Sequence, residues 1–139
     1  MSNTIETTKS AVVGRVETVA KLAVVKDHAT GVYEEYPASQ VTYTGSTGIQ
    51  QQNVTRFYTH TFRIEVFFEQ GSNFSPEKVE LLMIKTADQL ITVFDNDNTL
   101  GGAVQDVTPA NLDAGFETRE LDVRTLTMDL EVRILINQE

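Results

Sequence analysis

The sequence predicts an α+β domain: one mostly antiparallel β-sheet of four to five strands with two α-helices packed on one face. Three observations carry this. Between Phe57 and Phe68 large apolar side chains fall on every second residue, the period of a strand with one buried face. From Pro76 to Phe94 they recur at three- and four-residue steps, the period of a helix. From Leu121 to Ile136 the two-residue period returns. Strands and helices that alternate with short joints and no repeat point to one layer of helix on one layer of sheet.

Taken in order, Ile5 to about Ala23 reads as a first helix, with Ile5, Ala11, Val12, Val16, Val19 and Ala23 on one stripe. Gly14 weakens it by about 1 kcal/mol relative to Ala. Val24 and Val25 either continue it or begin a short extended piece, and Asp27 to Gly31 is a turn cluster. Gly31 to Tyr36 is expected to be a strand that stops at Pro37, and Gln40 to Thr44 another. Gly45 to Val54 holds Gly45, Gly48, three glutamines and Asn53 with only Ile49 and Val54 apolar, so it is expected to be the mobile tip of a long hairpin.

In the strand that follows, Tyr58, Phe62, Ile64, Val66 and Phe68 share one face, and Thr59, Thr61, Arg63 and Glu65 the other. Ser75, Pro76 and Glu77 are suited to the N-cap, first position and first turn of the second helix. Val79, Leu82, Met83, Ala87, Leu90, Ile91 and Phe94 form its apolar stripe. Asp95 to Asn98 ends it, and Gly101 and Gly102 lead to a strand expected over Ala103–Val107. Pro109 to Arg119, rich in small and polar residues, is expected to be loop. The last strand turns Leu126, Met128, Leu130, Val132, Ile134 and Ile136 inward, and Thr125, Thr127, Asp129, Glu131 and Arg133 outward.

At 139 residues the chain fits one domain spanning residues 1–139. Its 11 basic and 20 acidic residues give a net charge of −9, which disfavours a nucleic-acid-binding module. A passage through which DNA slides without being gripped remains compatible with that charge. With no cysteine there is no disulfide framework and no thiolate chemistry. Neither a signal peptide nor an apolar run long enough to span a bilayer is visible, so no membrane partner is expected and the chain is read as made in a cytoplasm.

Catalytic and cofactor chemistry find no footing. His28 and His60 stand alone, without a carboxylate or second histidine at metal spacing. The stretch from Asp95 places Leu100 where a calcium loop needs glycine and Asp106 where it needs glutamate. Gly101-Gly102 enters a strand and lacks the Gly-Lys-Ser/Thr of a phosphate loop. The expectation is therefore no enzyme, no catalytic or metal residues and no cofactor. The outward carboxylates Glu65, Asp129 and Glu131 read as a solvated sheet face, with cross-strand or cross-subunit pairs if they bracket Arg63 and Arg133.

Three stretches together resemble the tail terminator family of long-tailed bacteriophages. VYEEYPASQVTY (Val32–Tyr43) is similar to the early strand pair of small phage neck and tail proteins. FRIEVFFEQ (Phe62–Gln70) with the helix from Pro76 resembles their central strand and helix. DNTLGGAV (Asp97–Val104) and LEVRI (Leu130–Ile134) complete the order. The resemblance implies a structural virion protein in the tail or neck, assembled in the host cytoplasm. It implies a homo-oligomeric ring, usually a hexamer, that caps the tail tube, meets the head–neck connector proteins and lets DNA pass through its lumen. Another neck, connector or tube protein is the nearest alternative, and a stand-alone cytoplasmic protein-binding module the alternative from another class. Candidate contact residues are Ile49, Gln50, Gln51, Gln52, Asn53 and Arg56 at the hairpin, and Arg63, Arg119, Arg124 and Arg133 toward acidic neighbours. The long last strand is expected to present an edge that a neighbour covers.

Purified protein should carry no stoichiometric zinc or calcium. Elemental analysis checks this, and one equivalent of either metal per chain overturns it.

Overall fold

Element order in the computed structural model is α1 (Ile5–Val16), β1 (Val24–Lys26), β2 (Ala38–Gln52), β3 (Thr55–Gln70), α2 (Pro76–Asn96), β4 (Asp106–Thr118) and β5 (Asp122–Leu135). The structure describes residues 5–19, 24–26, 36–52, 55–70, 75–102, 104, 106–118 and 122–135. The described strands form one sheet in the order β1-β2-β3-β5-β4. Only β1 is parallel to its neighbour, from Val24 opposite Ala38 to Lys26 opposite Gln40; the other pairings are antiparallel. The fold is α+β, as the periodicities predict.

The centre of the sheet is the β3–β5 ladder, unbroken from Phe57 opposite Leu135 to Gln70 opposite Asp122. Its register sets Phe62 against Leu130, Ile64 against Met128 and Val66 against Leu126. All six are buried. With Val41, Phe68, Val132 and Ile134 they form the floor of one core, roofed by Val12, Val16 and Val19 and by Val79, Met83, Leu90 and Phe94 of α2. Burying side chains of this size is worth about 1.5–3 kcal/mol each. A slip of one residue in either strand would turn the whole row to the other face.

Helix α2 begins as its sequence predicts. Lys78 donates its backbone N–H to the Ser75 hydroxyl at 3.3 Å, and Pro76 occupies the first turn. It ends at Asn96, followed by a turn in which Gly101 and Gly102 hold φ of 71° and 91°, a region that L side chains rarely enter. The Asp97 carboxylate accepts from Gly101 N–H at 2.9 Å and from Arg15 Nε of α1 at 2.6 Å. The Gly101 amide first, and then Arg15, hold the Asp97 carboxyl below its ordinary value of 3.8. A depressed carboxyl stabilises the fold above that value and loses the effect as pH falls through its folded pKa. This tie joins the C-terminal ends of the two helices.

Several boundaries differ from the sequence reading. Helix α1 stops at Val16, because Thr18 Oγ1 donates to the Arg15 carbonyl at 2.6 Å and Val19 N–H to Val16 O at 3.0 Å. A hydroxyl that captures a helix carbonyl closes the last turn, and β-branched Val16, Thr18 and Val19 add little propensity to continue. Val24 and Val25 form a strand. Of the strand expected over Gly31–Tyr36, residues 31–35 lie outside the described residues, and Tyr36 and Pro37 form a bend.

Two expected loops are strands. β2 runs on through Gly45 to Gln52, where Gln52 faces Thr55, so Gly45–Gln52 is strand and not loop; Asn53 and Val54 lie outside the described residues. Register shifts between Tyr43 and Gly45 and between Ser46 and Ile49 absorb the glycines as bulges. Pro109–Thr118, read as loop, is instead most of β4, while the strand expected at Ala103–Val107 begins only at Asp106. β4 is the outermost strand beside β5, and an edge is where a sheet tolerates proline. Gly115 faces Thr125, and a Cβ there would come within 2.7 Å of the Thr125 hydroxyl. The last strand, expected to offer an open edge, lies inside the sheet between β3 and β4.

Leu130→Ala and Leu90→Ala should each lower unfolding free energy by about 2–5 kcal/mol, since each empties a buried site between sheet and helix. Exposed Glu131→Ala should stay within about 0.5 kcal/mol of the parent. Denaturant titration compares the three.

Candidate functional site

Opposite the helices the sheet presents a second face built from the alternate residues of each strand. The registers place Gln40 and Thr42 of β2, Thr59, Thr61, Arg63 and Glu65 of β3, Thr127, Asp129, Glu131 and Arg133 of β5, and Asp106, Thr108, Ala110 and Asp113 of β4 on it. At one end this face closes over itself: Ala38, Phe67 and Val123 are buried together, with Tyr36 packed against them. Beyond that end it is threonine-rich and acidic, and Glu65, Asp106, Asp113, Asp129 and Glu131 outnumber Lys26, Arg63 and Arg133.

Both guanidinium groups are occupied within their own chain. Arg63 Nε donates to Asp129 Oδ1 at 3.0 Å, and Asn111 Nδ2 donates to the other oxygen of the same carboxylate at 3.3 Å. The hydrogen bond to Asp129, and then its charge, raise the Arg63 pKa further above its ordinary value. Arg133 Nη1 donates to Asp106 Oδ2 at 3.1 Å across the β4–β5 ladder. Gln40 Nε2 donates to Glu65 Oε1 at 3.0 Å. Exposed pairs of this kind contribute about 0–1 kcal/mol each. They do, however, pair both arginines of the face with carboxylates, while Lys26, Glu131 and Asp113 stay exposed.

Arg63 and Arg133, candidates for contact with acidic neighbours, each pair with a carboxylate of their own chain and keep part of the side chain exposed. The spacing did allow cross-strand pairs, and these form. Arg124 is half-buried at the end of the helix-covered face, and its Nε donates to the Gly115 carbonyl at 3.4 Å. Ile49, Gln50 and Gln51 face Tyr58, Phe57 and Arg56 across the β2–β3 hairpin, so they belong to a strand and not to a loop. Asn53 and Arg119 lie outside the described residues. Asp106, Gln40 and Asn111 were not singled out by the sequence reading. Asn111 belongs to a segment read as loop, whose strand character only the neighbouring β5 reveals, and Asp106, though inside the strand expected over Ala103–Val107, finds Arg133 only through register.

His60 lies on the helix side of β3. It is 7% exposed, and its Nδ1 shares a hydrogen bond of 2.9 Å with the Tyr43 hydroxyl, with Tyr58 on its other side. Burial pushes its pKa below the ordinary value of 6.5. No group of His, Asp and Glu among the described residues has the geometry of a metal site. A shallow cleft of about 340 Å³ between the end of α1 and α2 is lined by Thr18, Val19, Asp88, Gln89, Thr92 and Val93. It brings one carboxylate among amides and hydroxyls, with no base or nucleophile paired to it. None of the described helices is long and apolar enough to cross a membrane.

No protein-family model matches the chain, and no curated protein matches it in sequence. Among solved structures, the chain is similar in fold to a chain in the virion of a native gene transfer agent particle. The match has 13% sequence identity and a TM-score of 0.51, and covers 92% of this chain and 94% of that one.

A buried His with a lowered pKa binds its proton more weakly folded than unfolded. Its contribution is therefore complete above 6.5 and lost as pH falls below it. Stability should drop as pH falls below about 6.5, and His60→Phe should flatten that slope. Urea midpoints at several pH values check both, and an unchanged slope in the variant overturns the assignment.

Proposed function

We propose that this chain is a structural protein of a phage-like virion, and specifically a tail terminator. It forms a ring, of six subunits by family resemblance, that caps the tail tube and meets the head–neck connector. The observation that carries this reading is the division of the sheet into two faces. One is roofed by both helices, and the other is broad, threonine-rich and acidic, with its arginines neutralised by its own carboxylates. Set around a lumen, such a wall, acidic in balance and with Arg63 and Arg133 already paired, repels the phosphate backbone at close range. DNA would then pass without binding. Similarity in fold to a chain of a gene transfer agent virion, over nearly the full length of both, supports the structural reading over an enzymatic one. No catalytic residue, metal or organic cofactor takes part.

A tube subunit or another neck protein would use the same wall, and position along the particle separates them. Electron microscopy of the protein mixed with tail tubes should show rings at the head-proximal end of finished tubes. Protein stacked all along the tube makes it a tube subunit, and protein bound only to the portal makes it a connector. A protein that touches neither tube nor portal overturns the virion reading in favour of a stand-alone binding module.

A further inference from the structure

The outer strands leave two edges to account for. β1 covers β2 only from Ala38 to Gln40, so from Val41 to Gln52 the outer edge of β2 has no strand beside it among the described residues. The outer edge of β4, a strand of 13 residues, has none either. Open edges are sites of strand addition and are commonly protected by charge, proline or bulges. β2 carries no charged residue from Ala38 to Gln52. Among the described residues its protection is the bulges near Thr44 and Thr47–Gly48. β4 is interrupted at Pro109 and by the shift between Ala110 and Asp113, and its charged residues, Asp106, Asp113 and Glu117, are all acidic.

We propose that these two edges are one interface: β4 of one copy pairs, antiparallel and head to tail, with Val41–Gln52 of β2 in the next. The partner is a second copy of this chain, and only the closure of such contacts into a ring rests on the terminator reading. Direction permits the match. β2 is antiparallel to β3, β3 to β5 and β5 to β4, so the two edges run in opposite senses. Copies related by rotation about a common axis therefore bring β4 beside β2 in antiparallel order, continuing the sheet with the same face inward. Charge disfavours the pairing of β4 with itself, and β2 set against itself would leave β4 uncovered. Two β4 edges set against each other would bring carboxylates together, which destabilises cross-strand pairs, whereas neutral β2 accepts the acidic strand.

The levels of the two edges add a constraint. Tyr43 lies level with Pro109 through Phe62 and Leu130, but Gln40 lies level with Asp113 through Glu65 and Thr127. β4 thus sits toward the end of the sheet where β1 covers β2. Full overlap requires each copy to be displaced along its neighbour toward the β2–β3 hairpin. Displacement of this sense is the stagger that any closed sheet needs in order to tilt its strands. Interruptions in both edges divide the joint ladder into short runs and give it the local bends of a curved wall.

The cysteine-free sequence allows a direct test. Single variants are made in β2 (Thr42→Cys on the open face, Thr44→Cys at the bulge) and on the open face of β4 (Thr108→Cys, Asp113→Cys), each checked for unchanged circular dichroism and melting. A β2 variant mixed with a β4 variant should give a covalent dimer with a short bis-maleimide, while each variant alone gives none. The double variant Thr42→Cys/Thr108→Cys, both on the open face, should give a ladder of multimers. Cross-linking of either variant to itself, or no mixed dimer in any of the four combinations up to the solubility limit, overturns the pairing. The outcome is separable from the functional reading: β2–β4 cross-links in a protein that never reaches a tube end keep the interface and remove the terminator role. Tube-end rings without such cross-links do the reverse.

Discussion

The pairing of β3 with β5 is the constraint on which the rest of the structure depends. It is the one long ladder without a register shift, and it joins residues far apart in the chain. Its register puts Phe62, Ile64 and Val66 beside Leu130, Met128 and Leu126, and these form the surface on which α2 lies. Because side chains alternate strictly along a strand, the same register commits Arg63, Glu65, Asp129 and Glu131 to the opposite face. One geometric decision thus creates both the core and the acidic wall. A change that weakens the first disturbs the second.

The outer strands are irregular where the inner ones are regular. β2 and β4 each contain register shifts, and between them they hold Gly45, Gly115, Pro109 and the positive-φ Asn111. Such features are costly inside a sheet and cheap at its rim, where only one side must keep its hydrogen bonds. The centre is therefore built for stability and the rim is left adaptable. That division suits a subunit whose function lies in what its edges and open face meet, more than in any pocket. The tie from Arg15 to Asp97 joins the ends of the two helices on the roofed side.

Much of this was legible in the residues because the core writes its period into them. Even-numbered apolar residues in β3 and β5, and the three- and four-residue steps of α2 with Ser75 and Pro76 before it, specified those elements to within a few residues. The outer strands left no such signature. Neither β2 beyond Tyr43 nor β4 has a full row of apolar side chains to bury, so Gly45–Gln52 and Pro109–Thr118 carry the composition of loops. They are strands because β3 and β5 offer them unpaired backbone, and a backbone partner does not depend on side-chain period. The candidate arginines show the same limit. Arg63 and Arg133 were visible as outward residues, but their partners Asp129 and Asp106 follow from register across the sheet.

By itself the sequence determined the fold class, the two central strands, the second helix, the acidic balance and the lack of cysteine chemistry. These are consequences of composition and local periodicity, which act between residues close in the chain. Tertiary structure alone decided the strand order, the enclosure of β5 between β3 and β4, the burial of His60 beside Tyr43 and the capture of both arginines by carboxylates of their own chain. Each is a contact between segments distant in sequence, set by which backbone edge finds which partner. No spacing along a single strand encodes that choice.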